Sequence, residues 1–378
     1  MARYWSDKNW EITILTLFQG RRPVCYDLHP KVTHTDLANS TLFRNPRPDV
    51  QSLLALRDLF NALTPSERKV FLRDINLIVA LRHAITRTRP QTVISFIDVT
   101  NVYVLLALYR LTLPVIISER CHPVSTGDQG WDRLRQRLYL RATHLVVLAE
   151  ESLSCFDAEV RKQGRVIPNA VLPPPKTPST EIARHRTGEK VLLAMGRLAY
   201  EKGFDLLLHA FAKIASKHPS WSLNVFGQGP LRPELKALAD ELGLNERVRF
   251  PGFTYQPYDT MRRADLFVLS SRLEGFPNVL LEAMACGLPV VSFACPTGPS
   301  YIVRDGTDGL LAPPLDVTTL TKHLDRLMGD DAERKRLAGR APEVTERFSV
   351  RRVMGLWESL ALDCADKNGN SRSLQNPK

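Results

Sequence analysis

The chain has 378 residues and a formal net charge of +11, with 44% hydrophobic, 24% charged and 8% aromatic residues. That length exceeds one ordinary core and suffices for two domains of roughly 150 residues each, and the composition excludes a disordered, collagen-like or coiled-coil chain. Residues 1–180 hold 24 Lys+Arg against 16 Asp+Glu and the remainder 27 against 24, so the basic excess sits in the first half and points to anionic partners.

In chain order, Met1–Asn9 reads as the end of a helix and Ile12–Leu17 as a strand. A doubly wound domain normally opens with a strand, a glycine-rich turn and a helix, so its first βα unit is expected to be missing. No basic start with an apolar core and small-residue cleavage site is found, and no signal peptide is expected. Leu53–Leu63 and Val102–Leu111 read as helices; Thr92–Ile97, Val115–Ser118 and Leu145–Leu148 read as strands. The most apolar stretch, Val102–Ile117, is interrupted by Arg110 and Pro114, so no spanning helix is expected. Six cysteines without a CxxC or a Cys/His cluster imply reduced thiols in a cytoplasmic compartment. Trp131–Arg141 carries Arg133, Arg135, Arg137 and Arg141 among leucines and aromatics. An anionic membrane surface and a solvated helix face account for it equally well, and the former would place the protein on the inner face of the cytoplasmic membrane. Asp98, Asn101, Glu119 and Arg120 fall at strand ends and are candidate acceptor-side residues.

The expected domain plan is 1–170, a linker over 171–184 that overlaps the proline-rich Pro168–Glu181, 185–348, a helix over 349–364 that crosses back, and a polar tail over 365–378. The second half alternates strand and helix. Val191–Gly196, Leu223–Phe226, Val248–Phe250, Leu266–Leu269 and Val290–Phe293 read as strands. Phe204–Ile214, Pro233–Leu242, Val279–Cys286 and Leu320–Met328 read as helices. Such alternation predicts an α/β chain with parallel sheets, whose ligands bind where the strands' carboxyl ends meet the loops.

Four loops there carry signals of chemistry. Glu274-Gly-Phe-Pro-Asn-Val-Leu-Leu-Glu282 places two carboxylates around a predicted helix start, with Pro277 suited to the first helical position. Free N–H groups and the positive dipole end between them form a phosphate seat. Gly196-Arg197-Leu-Ala-Tyr-Glu-Lys202-Gly203 brings two cations to the same edge, suited to binding a diphosphate and stabilising it as it leaves. Gly227-Gln-Gly-Pro230 and Cys295–Tyr301 are weaker turn signals. GxGxxG fails at Arg232, and Walker A, HExxH and DxD are absent, so no metal or bound cofactor is expected. The basic residues are dispersed and no reader motif is present, so nucleic acid is not an expected partner.

The pieces GRLAYEKG, FGQGP, PGF, ADLFVLSSRLEGFPNVLLEAMACGLPVV, CPTGP and DGLL span Val191–Phe348. Together they resemble the donor-binding half of the retaining glycosyltransferases of family 4. Ser118-Glu-Arg120 and Ile167-Pro-Asn169 are similar to the bacterial amylovoran-type galactosyltransferase subgroup. The resemblance implies a GT-B fold: two Rossmann-like domains with parallel sheets facing a central cleft. It implies metal-independent transfer of a hexose (galactose or N-acetylgalactosamine) from a UDP-sugar to a glycan or lipid-linked acceptor with retention, in polysaccharide biosynthesis. Arg197 and Lys202 match the diphosphate-binding cations, Glu282 the ribose-binding glutamate, and Glu274 the glutamate near the transferred sugar. Gly275, Phe276, Asn278 and Val279 would meet sugar and phosphates, and Gly227 and Phe253 would lie near the nucleoside. Tyr301 stands where relatives often carry Glu. The alternatives are a UDP-sugar 2-epimerase on the same fold, or a non-catalytic sugar-nucleotide-binding remnant.

Overall fold

The computed structural model describes residues 1–17, 27–40, 49–121, 129–175 and 188–367. The chain divides into two compact units, Met1–Ile167 with Met354–Lys378, and Pro168–Val353.

In the first unit β1 (Ile12–Thr16) and β2 (Val32–Asp36) pair in parallel as a separate two-stranded sheet. β3 (Val93–Phe96), β4 (Val115–Ser118), β5 (His144–Val147) and β6 (Gly164–Val166) form a parallel sheet in that order. β4 and β5 are buried along their whole length, which is why Val115–Ile117 and Leu145–Val147 are apolar throughout. Helix Asp98–Ala107 buries every residue from Asn101 on. Helix Val50–Ala62 is capped by the Asp49 side chain, which accepts from Ser52 N at 2.7 Å. Helix Pro65–Arg73 opens with a capping box between Thr64 and Glu67.

The second unit holds one parallel sheet of β7 (Lys190–Met195), β8 (Trp221–Phe226), β9 (Val248–Gly252), β10 (Leu266–Leu269), β11 (Val290–Phe293) and β12 (Leu310–Ala312). The spatial order β9-β8-β7-β10-β11-β12 is the doubly wound order, with the chain reversing direction across the sheet between β7 and β10. Leu192 and Ala194 of β7, Leu223 and Val225 of β8 and Val268 of β10 meet Leu207, Leu208 and Phe211 of helix Phe204–Ala212 in one core. Each fully buried Leu or Phe there contributes about 1.5–3 kcal/mol relative to exposure.

Helix Val350–Lys367 has its residues from Met354 onward in the first unit. There Trp357 packs on Phe96 with ring centroids 5.8 Å apart, and Glu358 pairs with Lys8 at 2.6 Å. It runs past Cys364 to Lys367 with Ala365 buried, so the first residues expected in the tail are helical. Among the described residues no helix is long and apolar enough to cross a membrane.

Candidate functional site

Because the second unit's strands are parallel, the loops after β7 to β11 leave one sheet edge together. Two glycines let these loops touch through their main chains. Gly227, after β8, has φ +141°, and a Cβ there would lie 1.8 Å from Gly196 O. Gly203 has φ +60°, and a Cβ would lie 2.1 Å from Ser270 O. Only glycine permits both approaches.

The loop after β7, with its short helical turn Tyr200–Lys202, is fastened to the loop after β10. Arg272 N donates to Glu201 O at 2.8 Å, and Ser270 Oγ to Lys202 O at 3.0 Å. The Arg272 guanidinium grips Asp205 through both oxygens (2.7 and 2.5 Å), donates to Tyr200 O at 2.9 Å and lies 4.2 Å from the Tyr200 ring centre. Sequence reasoning missed Arg272 and Asp205. Their one signal was a charge placed just past a strand or helix start.

These loops enclose a depression of about 310 Å³ at the reversal between β7 and β10. Gly196, Arg197 and Lys202 line it from the first loop, and Glu274, Phe276, Asn278 and Val279 from the second. Six predicted site residues therefore come together: Arg197, Lys202, Glu274, Phe276, Asn278 and Val279. Lys202 Nζ donates to Glu274 Oε1 at 2.7 Å, and Ser271 Oγ to the same oxygen at 2.7 Å. Thr297 Oγ1 donates to the Glu274 carbonyl, which seats the loop after β11 on this one. Arg197 pairs with Glu201. Burial works to raise the Glu201 carboxyl, but hydrogen bonds from its own amide and from Arg197, with the charges of Arg197 and Lys202, hold it below its ordinary value.

The helix begins at Asn278, with Pro277 as its extended N-cap (φ −74°, ψ 92°), one residue later than expected. Pro277 O already accepts from Leu280 N, so Asn278 and Val279 carry the first N–H groups facing no helical carbonyl. Gly275 belongs to the same loop without lining the depression. Glu282 lies one turn into the helix, half-buried, with burial raising its carboxyl above the ordinary value. Gly227 and Phe253 follow β8 and β9 at the same edge, outside the depression. Phe253 is exposed and stacks edge-on with Tyr255 at 4.9 Å. Tyr301 packs beside Phe276 and Phe348, with ring centroids 6.2 and 6.0 Å away.

In the first unit Asp98, Glu119 and Arg120 lie just past the ends of β3 and β4 and Asn101 lies inside helix Asp98–Ala107; of these four acceptor-side candidates two are closed to solvent. Asn101 is fully buried and donates to Ser118 O at 3.2 Å and to the Tyr139 hydroxyl at 3.3 Å. Glu119, also buried, accepts from the Tyr139 hydroxyl, and burial raises its pKa to about 7. Burial lowers Arg120 to about 10, and its guanidinium lies 5.6 Å from the Phe96 ring centre. Asp98 opens helix Asp98–Ala107. Ile97 before it has φ +75°, a strained setting for a β-branched residue. Of the four arginines of helix Gln129–Tyr139 and its flank, Arg133, Arg137 and Arg141 are exposed and Arg135 is not. Arg135 is buried near Asp132, Arg137 is tied to Glu67 and Ala62 O, and Arg141 stacks on Tyr109.

Residues 176–344 match the family model described as Glycosyl transferases group 1. An exopolysaccharide phosphotransferase of Streptomyces coelicolor is 35% identical over 231 residues, which is 61% of this chain and 24% of that relative. The chain thus spans about a quarter of that relative's length. A Campylobacter jejuni enzyme named as an α-1,4-N-acetyl-D-galactosaminyltransferase acting on a diphospho-undecaprenol glycan is 28% identical, covering 74% of this chain and 77% of its own. A sucrose-phosphate synthase from Thermosynechococcus elongatus superposes with TM-score 0.75 at 21% identity, over 95% of this chain and 91% of its own. The Anabaena protein HepE, solved with UDP-glucose, gives 0.64 at 21% identity, over 76% and 82%. The fold is GT-B.

Proposed function

We propose that the protein is a retaining glycosyltransferase of bacterial polysaccharide or lipopolysaccharide assembly. It takes a hexose, galactose or N-acetylgalactosamine, from a UDP-sugar and passes it to a glycan or lipid-linked acceptor without a metal ion. The observation that carries this reading is the depression between β7 and β10, where Arg197 and Lys202 meet the first N–H groups of helix Asn278–Ala285. HepE's capture of UDP-glucose supports the donor, and the named activity of the C. jejuni relative supports the sugar and the lipid-linked acceptor.

In this reading the acceptor hydroxyl attacks the anomeric carbon as UDP departs from the same face. Arg197, Lys202 and the helix start stabilise the negative charge that grows on the diphosphate. The departing phosphate takes the acceptor's proton. Glu282 holds the ribose hydroxyls and Glu274 lies beside the sugar.

A screen of UDP- and GDP-sugars for thermal stabilisation tests the assignment. At about 100 Kd of free ligand, the true donor adds about 2.7 kcal/mol and raises the melting temperature. A flat response to every nucleotide sugar refutes it.

A further inference from the structure

We infer that Glu201 is a built-in competitor of the donor's diphosphate: it holds the Arg197 guanidinium until the anion enters and then gives it up. This rests on the donor-binding reading above. Both cations lining the depression are already paired with carboxylates, Lys202 with Glu274 and Arg197 with Glu201. An entering diphosphate therefore competes with a carboxylate for each cation it reaches.

The two pairs differ in what they lose. The Glu274 side chain is 8% exposed. Parting it from Lys202 would leave a buried carboxylate with Ser271 as its remaining side-chain donor, a strongly unfavourable state. The side chains of Arg197 and Glu201 are 69% and 33% exposed, so water receives both as they separate. An exposed pair of this kind is worth no more than about a fivefold shift in an equilibrium. A diphosphate offers Arg197 two charge-assisted hydrogen bonds in its fork geometry, which outbids one exposed carboxylate. The Arg197–Glu201 pair is therefore the one that yields. The exchange needs only side-chain rotation, because the Glu201 carbonyl stays fastened to Arg272 N. The Glu201 carboxyl is held below its ordinary value, so the competitor is charged throughout the neutral range.

Calorimetric titration of UDP into wild type, Glu201→Gln, Arg197→Ala and the double variant tests this. Glu201→Gln is expected to bind UDP about two- to fivefold more tightly at about 50 mM salt. The gain shrinks at about 500 mM salt and vanishes in the Arg197→Ala background. Unchanged or weaker binding by Glu201→Gln, or a gain that persists without Arg197, overturns the inference while leaving the donor reading intact. A wild-type protein that binds neither UDP nor GDP overturns the donor reading, and this inference with it.

Discussion

The two units treat charge at their sheet edges in opposite ways. In the second unit, Arg197 and Glu201 form an exposed pair beside a solvent-reaching depression. In the first, Glu119, Tyr139 and Asn101 bond to one another out of reach of water. Exposed pairs exchange cheaply for a ligand. Buried networks resist exchange, because each broken bond leaves an unsatisfied group. The comparison teaches that charged residues at a strand's end mark a binding surface only when solvent can replace their partners.

The largest test of the contrast lies in the second unit. Lys202→Ala is expected to lower transfer by about 10²–10³-fold with the circular dichroism spectrum unchanged. The variant also leaves the buried Glu274 carboxylate without its cation, so a melting curve taken alongside separates lost turnover from lost stability. Near-normal turnover would break the assignment.

The first unit predicts a stability effect instead. Glu119 has a folded pKa of about 7 against an ordinary 4.5. The native state keeps a proton that the unfolded chain releases between those values, so stability is full below about pH 4.5 and falls as pH rises through 7. The loss is on the order of 3 kcal/mol. Glu119→Gln removes the titrating group, and urea melts at acid and alkaline pH should then show a flatter profile than wild type. An unchanged profile would reassign the network.

The smallest effect belongs to the clamp between the site loops. Arg272→Lys loses the two-oxygen grip on Asp205 and should cost about 1 kcal/mol in thermal unfolding. UDP binding should weaken with it. A variant as stable as wild type would show that the main-chain contacts alone hold these loops together.

Much of this was legible in the sequence, for reasons that differ by residue. β10 and β11 are buried on both faces; β10 reads as an unbroken apolar run and β11 as one interrupted only by Ser292. β2 escaped notice because Val32-Thr-His-Thr-Asp36 is largely polar and lies in a two-stranded sheet. Arg197, Lys202 and Glu274 were findable because parallel strands gather their following loops at one edge. Asp205 and Arg272 were not, since 67 residues separate the partners and only the β7–β10 pairing joins them. The i, i+4 spacing of Arg197 and Glu201 was visible, but its meaning required knowing that both side chains are solvated. The burial of Arg135 was hidden because Arg133, Arg135, Arg137 and Arg141 look alike in the sequence.

The frame of the second unit's edge is woven from peptide groups. Gly227 lies against Gly196, Gly203 against Ser270, Leu198 N donates to Gln228 O at 2.9 Å, and Leu231 N to Leu198 O at 3.0 Å. Such a lattice is indifferent to most of the side chains it displays. An exposed residue such as Asn278 can therefore be exchanged without dismantling its support. The scaffold is, in effect, a socket whose fittings can evolve faster than its mount.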